Sequence, residues 1–329
     1  MNAPAASEAA PEVGPALAVA DEPRLSVEAL VERWRSLSLR ASTLLRDPEL
    51  GSFTAAAERA DKEISALVRD DSQGSLLFLI QSAGLDLQRY SVMHALLVTV
   101  VCDLAATGLP DCGDAQRRSL RLAALTMNIA MTRLQDQLAL QAGELTPAQR
   151  SLTENHAERG TELLRKLGVT DELWLTAVSH HHGAPPGALA EQPVGMQLAR
   201  LVQRADLFAA RMSPRKVRAA MSPALAAKRT YYDENNSPDE AGSLVIKALG
   251  IYPAGSYVRL ANGELAVVLR RGAAMNAPVI AGIADANGIP YVQPLLRTGG
   301  DRAAAIVKGV APKEVHVRTP VERLLKLAR

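Results

Sequence analysis

Aromatic residues are scarce in this chain. Only 3% of its 329 residues are Phe, Trp or Tyr, although 48% are hydrophobic. Alanine and leucine carry most of the apolar content, which favours closely packed helices. The chain also has only two cysteines, Cys102 and Cys112. Because two cysteines do not make a disulfide framework, we expect a protein of a reducing compartment.

The chain also lacks a strong excess of charge of either sign. Its formal net charge is +2, so the charge balance calls for neither a nucleic acid polymer nor a membrane surface as a partner. No apolar run is long enough to predict a bilayer span. The N-terminus is acidic and rich in Ala and Pro, without the basic start and apolar block of a signal peptide. We therefore expect a cytoplasmic location.

Composition and periodicity divide the chain into four parts. Residues 1–23 hold few large apolar side chains and are expected to form a disordered tail. Residues 24–86 show apolar residues at helical spacing and predict a helical N-terminal region. Residues 87–249 predict a second helical domain, which carries five of the six histidines. Residues 250–329 predict a small β-module with a C-terminal helix, so the protein is expected to be mainly α.

Alternating residues and turn signals predict the β-module. The segments YVRL and LAVVLR are joined by Asn262-Gly263, which is a strong hairpin signal. The segments APVIAGIAD and GIPYVQPLL, separated by Asn287-Gly288, predict two more strands. The segment KEVHVRT is expected to close the sheet. The last residues, PVERLLKLAR, predict a short amphipathic helix.

The helical domain carries its histidines on predicted helices. His94 lies in the apolar face of a helix over about residues 87–106. A helix that begins at Thr146-Pro147 carries His156. Gly160 lies inside the same helix, where glycine costs about 1 kcal/mol relative to alanine, and this indicates close packing against a neighbour. Further helices are predicted over residues 114–133, 194–211 and 214–225, and one more ends in the run of three histidines.

The histidine run and Asp206 indicate a metal site. The adjacent residues His181 and His182 cannot face the same way on a regular helix, but Gly183 and Pro185 end the helix there. Asp206 has apolar neighbours in ARLVQRADLFAA, where an unpaired carboxylate would be costly and where a metal or a histidinium would satisfy it. Groups that converge from separate helices can hold a transition metal such as Fe, Mn or Zn.

Five motifs follow one another in the stretch from about residue 90 to residue 218. They are YSVMHALLV, LTMNIAM, ELTPAQRSLTENHAERG, AVSHHHGAPPG and ADLFAARMSPRKVR. In this order they resemble the motifs of the HD-GYP family of HD phosphohydrolases, and the β-module is similar to a C-terminal extension of some members. The resemblance implies an HD-type helical bundle with two or three Fe or Mn ions. It also implies hydrolysis of the bacterial second messenger cyclic di-GMP to pGpG or GMP.

The resemblance implies roles for individual residues. The implied metal ligands are His94, His156, His181, His182 and Asp206, and the implied phosphate-binding residues are Arg215 and Arg218. The paired histidines of the family correspond either to His180-His181 or to His181-His182. The second pair is slightly favoured because Gly183 follows it directly.

The chain departs from the family at the catalytic positions. Met127 and Asn128 stand where family members have a His-Asp pair, whose aspartate bridges two metals. Met131 stands where many members have a lysine, and the Gly-Tyr-Pro loop is shortened to HGAPPGA without a tyrosine. Because Asn128 is neutral and Met127 has no imidazole, we expect the binuclear centre to be lost. The remaining ligands can hold one Fe, Mn or other divalent ion, or none.

These departures lead to a functional hypothesis and its alternatives. The first hypothesis is a catalytically impaired binding or regulatory module of cyclic di-GMP signalling, with the nucleotide or a signalling protein as its partner. The alternative is a residual metal-dependent cyclic di-GMP phosphodiesterase with one metal. A scaffold that binds no nucleotide is a third hypothesis. Helical N-terminal regions of the family often mediate dimers, so a homodimer is a further hypothesis.

Overall fold

Helices dominate the protein, and a five-stranded antiparallel sheet lies near its C-terminus. The computed structural model describes residues 24–83, 86–216, 218–272, 278–297 and 302–329. The tail expected over residues 1–23 lies outside the described residues. The expected fold class, a mainly α protein with a helical bundle and a small C-terminal β-module, is confirmed.

The elements are numbered here in chain order. The helices are α1 (Val27–Arg46), α2 (Phe53–Asp70), α3 (Ser72–Ser82), α4 (Tyr90–Ala105), α5 (Asp114–Thr126), α6 (Thr132–Leu140), α7 (Pro147–Glu154), α8 (His156–Lys166), α9 (Glu172–His180), α10 (Val194–Met212), α11 (Pro223–Tyr231), α12 (Glu240–Leu249) and α13 (Val321–Ala328). The strands are β1 (Tyr257–Leu260), β2 (Leu265–Arg270), β3 (Val279–Ala284), β4 (Pro290–Arg297) and β5 (Ile306–Val310).

Helix α4 lies at the centre of the bundle and packs against α5, α10 and α12. The segment Leu87–Gly108 is long and apolar enough to cross a membrane by length and composition, so the expectation that no run reaches this length is wrong. However, 83% of its most apolar window is buried inside the protein. A helix that is apolar on all sides lies either in a membrane or in the core of a protein, where packed neighbours cover every face.

The structure differs from two of the predicted helices, those over residues 114–133 and 214–225. The helix predicted over residues 114–133 ends at Thr126, and a short 3-10 turn at Ile129–Met131 leads into α6. The helix predicted over residues 214–225 is also wrong. There the chain turns back between Arg215 and Arg218, whose backbones pair with each other, and α11 begins only at Pro223. A tertiary bond from the Lys216 N–H to the Ala139 carbonyl (2.8 Å) supports this turn.

The sheet has the strand order β4-β3-β2-β1-β5, with every neighbouring pair antiparallel. The hairpin predicted at Asn262-Gly263 is confirmed, because β1 pairs with β2 across it. The segment KEVHVRT does not form the last strand. The preceding segment Ile306–Val310 pairs with β1, and Pro312 then begins a 3-10 turn. Val315 and Val317 pack against the core from a segment without strand pairing.

The N-terminal and C-terminal parts of the chain are packed together. The predicted C-terminal helix is confirmed as α13, which contacts α1 and α3. Its Glu322 pairs with Arg35 (2.6 Å), and its Lys326 pairs with Glu28 (2.7 Å). One cluster of buried hydrophobic residues extends from Val27 in α1 to Ala328 in α13. The domain boundaries given above remain a prediction.

Gly160 in α8 is less tightly packed than its place inside a helix indicates. A methyl group there would meet Ile129 Cγ2 at 3.6 Å and Val178 Cγ1 at 3.7 Å, which is ordinary contact. We therefore expect Gly160→Ala to raise the free energy of unfolding by up to about 1 kcal/mol, because alanine favours the helix. At Gly242 a methyl group would lie 2.2 Å from the Thr230 carbonyl oxygen. Gly242→Ala is therefore expected to cost about 1–3 kcal/mol. Urea unfolding of both variants tests the contrast, and a loss of stability in Gly160→Ala would contradict it.

Candidate metal centre

Three imidazole rings converge at one end of α8 and α9. His156 Nε2 lies 3.1 Å from His181 Nε2 and 3.2 Å from His182 Nε2. One ligand atom from each ring lies within 4.8 Å of the other two. Two nitrogens bound to the same divalent ion at about 2.1 Å would lie roughly 3.0–3.4 Å apart for angles between about 90° and 109°. The observed separations therefore match those of shared ligands.

Breaks in the helices bring these rings together. Helices α7 and α8 are separated only at Asn155, so His156 occupies the first position of α8. Helix α9 ends at His180, and a turn closed by bonds from Gly183 and Ala184 to the His180 carbonyl follows it. Because the chain leaves the helix at this point, two adjacent histidines can face one centre.

His180 faces away from this centre. Its side chain is exposed, and its Nδ1 bonds to the Thr176 carbonyl one turn back in its own helix (3.1 Å). Of the two pairs that the sequence leaves open, the structure brings His181-His182 together with His156.

Backbone carbonyls hold two of the rings in a defined tautomer. His156 Nδ1–H donates to the Thr153 carbonyl, and His181 Nδ1–H donates to the Val178 carbonyl (2.5 and 2.7 Å). In neutral rings this leaves a lone pair on each Nε2, so two lone pairs face each other across 3.1 Å. A shared cation removes this repulsion. Such second contacts on Nδ1 are also typical of metal-ligating histidines. The donor set therefore fits a divalent metal.

Burial favours the neutral form of His156 and His181. It lowers the pKa of His181 to about 3, and the neighbouring rings of His182 and His156 lower it further. It also lowers the pKa of His156, against the opposing effect of the bond to the Thr153 carbonyl. A neutral imidazole is the form that binds a metal.

His94 and Asp206 form a separate pair beside the three rings. His94 Nε2–H donates to the Asp206 carboxylate at 2.7 Å, and the His94 side chain is only 1% exposed. Burial alone would raise the pKa of Asp206. The hydrogen bond that His94 donates is the largest of the effects that outweigh burial and hold that pKa well below its usual range. The carboxylate is therefore ionised. The five expected ligands thus fall into a group of three and a group of two.

A cavity of about 340 Å³ joins these groups to the expected phosphate-binding residues. Its lining includes His156, His182, Asp206, Arg215 and Arg218. Asn128 and Met131 also line it, whereas Met127 is fully buried in the hydrophobic core. At these two positions the cavity wall thus offers a neutral amide and a thioether.

Two residues in or beside this cavity, Tyr90 and Gln135, are not among those predicted from the sequence. The Tyr90 ring stacks on His94, with 5.7 Å between the ring centroids, and the Arg215 guanidinium lies 4.7 Å from the Tyr90 centroid. Tyr90 therefore links an expected ligand to an expected phosphate-binding arginine, and its spacing of four residues from His94 on one helix was an available signal. Gln135 lines the cavity with its Oε1 buried and without a hydrogen-bond partner among the described residues. No sequence pattern indicated Gln135.

Comparison with known proteins gives one curated relative. Cyclic di-GMP phosphodiesterase PA4108 of Pseudomonas aeruginosa is 27% identical to this chain over an alignment of 282 residues, which covers 83% of this chain and 67% of the relative. No family model matches the chain. No solved structure matches it either. The chain is therefore similar, over most of its length, to a protein of cyclic di-GMP turnover.

Proposed function

We propose that this chain is a degenerate HD-GYP-like protein of cyclic di-GMP signalling that binds the nucleotide but is impaired in its hydrolysis. The similarity to a cyclic di-GMP phosphodiesterase supports the ligand. The observation that carries the impairment is the pair Met127-Asn128. Met127 is buried in the core, and Asn128 brings only a neutral amide to the cavity. Neither of these two residues offers a carboxylate that could bridge a second metal ion.

The remaining groups suit a site for one metal and a phosphodiester. His156, His181 and His182 would hold a divalent ion such as Fe or Mn, with Asp206 as an ionised neighbour. Such an ion would polarise a phosphoryl oxygen and lower the pKa of a bound water. Arg215 and Arg218 line the same cavity, where charge-assisted hydrogen bonds to phosphate oxygens are strong. Tyr90 orients Arg215 by stacking beneath its guanidinium.

The test is a comparison of binding with turnover. We expect cyclic di-GMP to bind in equilibrium dialysis and to remain intact during anaerobic incubation with excess Mn²⁺ or Fe²⁺, as judged by chromatography. The double variant Arg215→Gln/Arg218→Gln is expected to weaken binding by about tenfold or more, because each charge-assisted bond contributes about 1.5–3 kcal/mol. Arg69→Gln is a matched control, because Arg69 is an exposed arginine on α2 outside the cavity. Absence of binding in the unaltered protein would contradict the proposal.

A residual one-metal cyclic di-GMP phosphodiesterase is the alternative. It is favoured by the convergence of three imidazoles, two of which, those of His156 and His182, line one cavity with Arg215 and Arg218. Formation of pGpG or GMP that disappears in His156→Ala would establish this alternative in place of the impaired protein. A cytoplasmic location, a signalling protein as a docking partner and a homodimer remain predictions. They are tested by fractionation, by affinity capture and by sedimentation, respectively.

A further inference from the structure

A second cavity of about 500 Å³ lies on a different face of α10 from Asp206. Arg204, Leu207 and Arg211 line it from α10, at spacings of three and four residues, whereas Asp206 and Ala210 line the first cavity. Helix α11 and the segment that follows it complete the wall with Leu225, Lys228, Arg229, Tyr232, Asp233, Glu234 and Asn236. Four cationic side chains and two carboxylates therefore surround this cavity.

The two carboxylates are already engaged. Glu234 accepts bonds from Arg200 and Arg204 at 2.9 and 2.8 Å. Asp233 Oδ1 accepts the backbone N–H groups of Asn235 and Ser237, which closes the turn after α11. These carboxylates are thus held by their own neighbours.

Three cations at the cavity lack an acidic partner. In the described ranges of the chain, no carboxylate lies within 4.0 Å of the charged groups of Arg211, Lys228 or Arg229. The only hydrogen bond of the Arg211 guanidinium there is a long one, 3.5 Å, to the Arg229 carbonyl. At the base, the Arg204 side chain is only 2% exposed. The cavity therefore combines a buried arginine, which is paired with Glu234 and Asp239, with three cations that have no carboxylate partner among the described residues.

The cations also repel one another. Burial lowers the pKa of Arg211, and the charges of Arg229, Arg204 and Arg218 lower it further. A half-buried cation among like charges is costly for the fold unless an anion neutralises it. Arg211 itself does not line the first cavity, although the charges of Asp206 and Arg218 reach it from there.

We propose that this second cavity binds a phosphate-bearing anion. Guanidinium groups match the geometry of phosphate oxygens and bind them through paired charge-assisted hydrogen bonds. The volume exceeds that of a bare phosphate and lies within the range of about 300–1,000 Å³ found for small-molecule sites. Leu225 and Tyr232 offer an apolar wall for the organic part of such a ligand. No residue that lines this cavity also lines the cavity of the cyclic di-GMP site proposed above.

The test uses two anions and located variants. Inorganic phosphate and GMP are titrated by calorimetry into the full-length Arg215→Gln/Arg218→Gln protein, in which the first cavity has lost its cations. Adding Arg211→Gln/Arg229→Gln is expected to weaken anion binding by about tenfold or more. Adding Arg69→Gln instead is expected to change it by less than about twofold. Tighter binding of GMP identifies an organic phosphate, and equal binding identifies phosphate as sufficient; both results support the site.

A stability measurement separates this role from a structural one. In anion-free buffer, Arg211→Gln is expected to keep or raise the melting temperature, because it removes like-charge repulsion. A structural arginine would instead lose stability on substitution. The proposal is overturned if neither anion binds at up to about 10 mM, or if the Arg211→Gln/Arg229→Gln change leaves the affinity unaltered.

Discussion

Replacing His181 by alanine is expected to strip the protein of bound divalent metal, whereas replacing the adjacent His180 leaves the metal content unchanged. His181 is completely buried, and its Nε2 faces His156 Nε2 at 3.1 Å. His180 is exposed and bonds to the carbonyl of Thr176. His181→Ala is therefore the test and His180→Ala is its matched control, because both replace a histidine by alanine at adjacent positions.

The expected loss of affinity in His181→Ala is about 100-fold or more, since even groups that only support a metal ligand account for about 10–100-fold. Each variant would be loaded with Mn²⁺, dialysed and analysed for metal by mass spectrometry. Because His181 is buried, its replacement also leaves a gap, so circular dichroism and thermal unfolding without metal must show that the fold persists. The variant His182→Ala also leaves only two of the three rings. Because the side chain of His182 is exposed, this replacement does not leave a gap in the core. Equal metal contents in His180→Ala and His181→Ala would contradict a centre built on His181.

The helical part of the fold could be predicted because its signals are local. Thr146 and Pro147 begin α7 through a capping box with Gln149, and Gly183 and Pro185 correctly indicated the end of α9. The same local signal explains how two adjacent histidines reach one centre. The pairing of His94 with Asp206, in contrast, joins residues 112 positions apart. Only the need of a buried carboxylate for a partner pointed to it.

The wrong predictions have tertiary causes. The pattern of residues 114–133 is helical throughout, yet the chain leaves the helix at Met127, and the following 3-10 turn packs against α8. The alternation of residues in KEVHVRT predicts the last strand there. In the structure the preceding segment, IVKGV, pairs with the edge of β1 instead. The cations around Arg211 come from α10 and α11, which are packed against each other, and the sequence does not show that contact. Periodicity carries no information on such choices between partners.

Introducing the His-Asp pair of the HD-GYP motif, Met127→His with Asn128→Asp, is expected to raise the metal content from about one ion per chain towards two and to produce turnover of cyclic di-GMP. Asn128 lines the cavity that holds His156 and Asp206, so an aspartate there adds a bridging carboxylate. A second ion would contribute several kcal/mol to the stabilisation of charge in the transition state, which corresponds to roughly 10²–10³ in rate.

The single variants distinguish the two positions. Asn128→Asp alone is expected to supply most of the gain in metal, because Met127 is buried in the core and an imidazole there must turn towards the cavity to bind. The control Met127→Leu/Asn128→Gln changes both side chains without adding a ligand, and the methionine swap should cost less than about 1.5 kcal/mol. Metal content and product formation would be measured on the unaltered protein, the double variant Met127→His/Asn128→Asp, each single variant and the control. A gain of metal in the control equal to that in the variant with the His-Asp pair would contradict this prediction, because it would trace the change to packing instead of ligation.

A variant with the His-Asp pair that folds but gains no metal would show that the pocket around Asn128 can no longer close on a second ion. The impairment would then include the shortened loop after the histidines and the thioether of Met131, and it would no longer be limited to the two replaced residues.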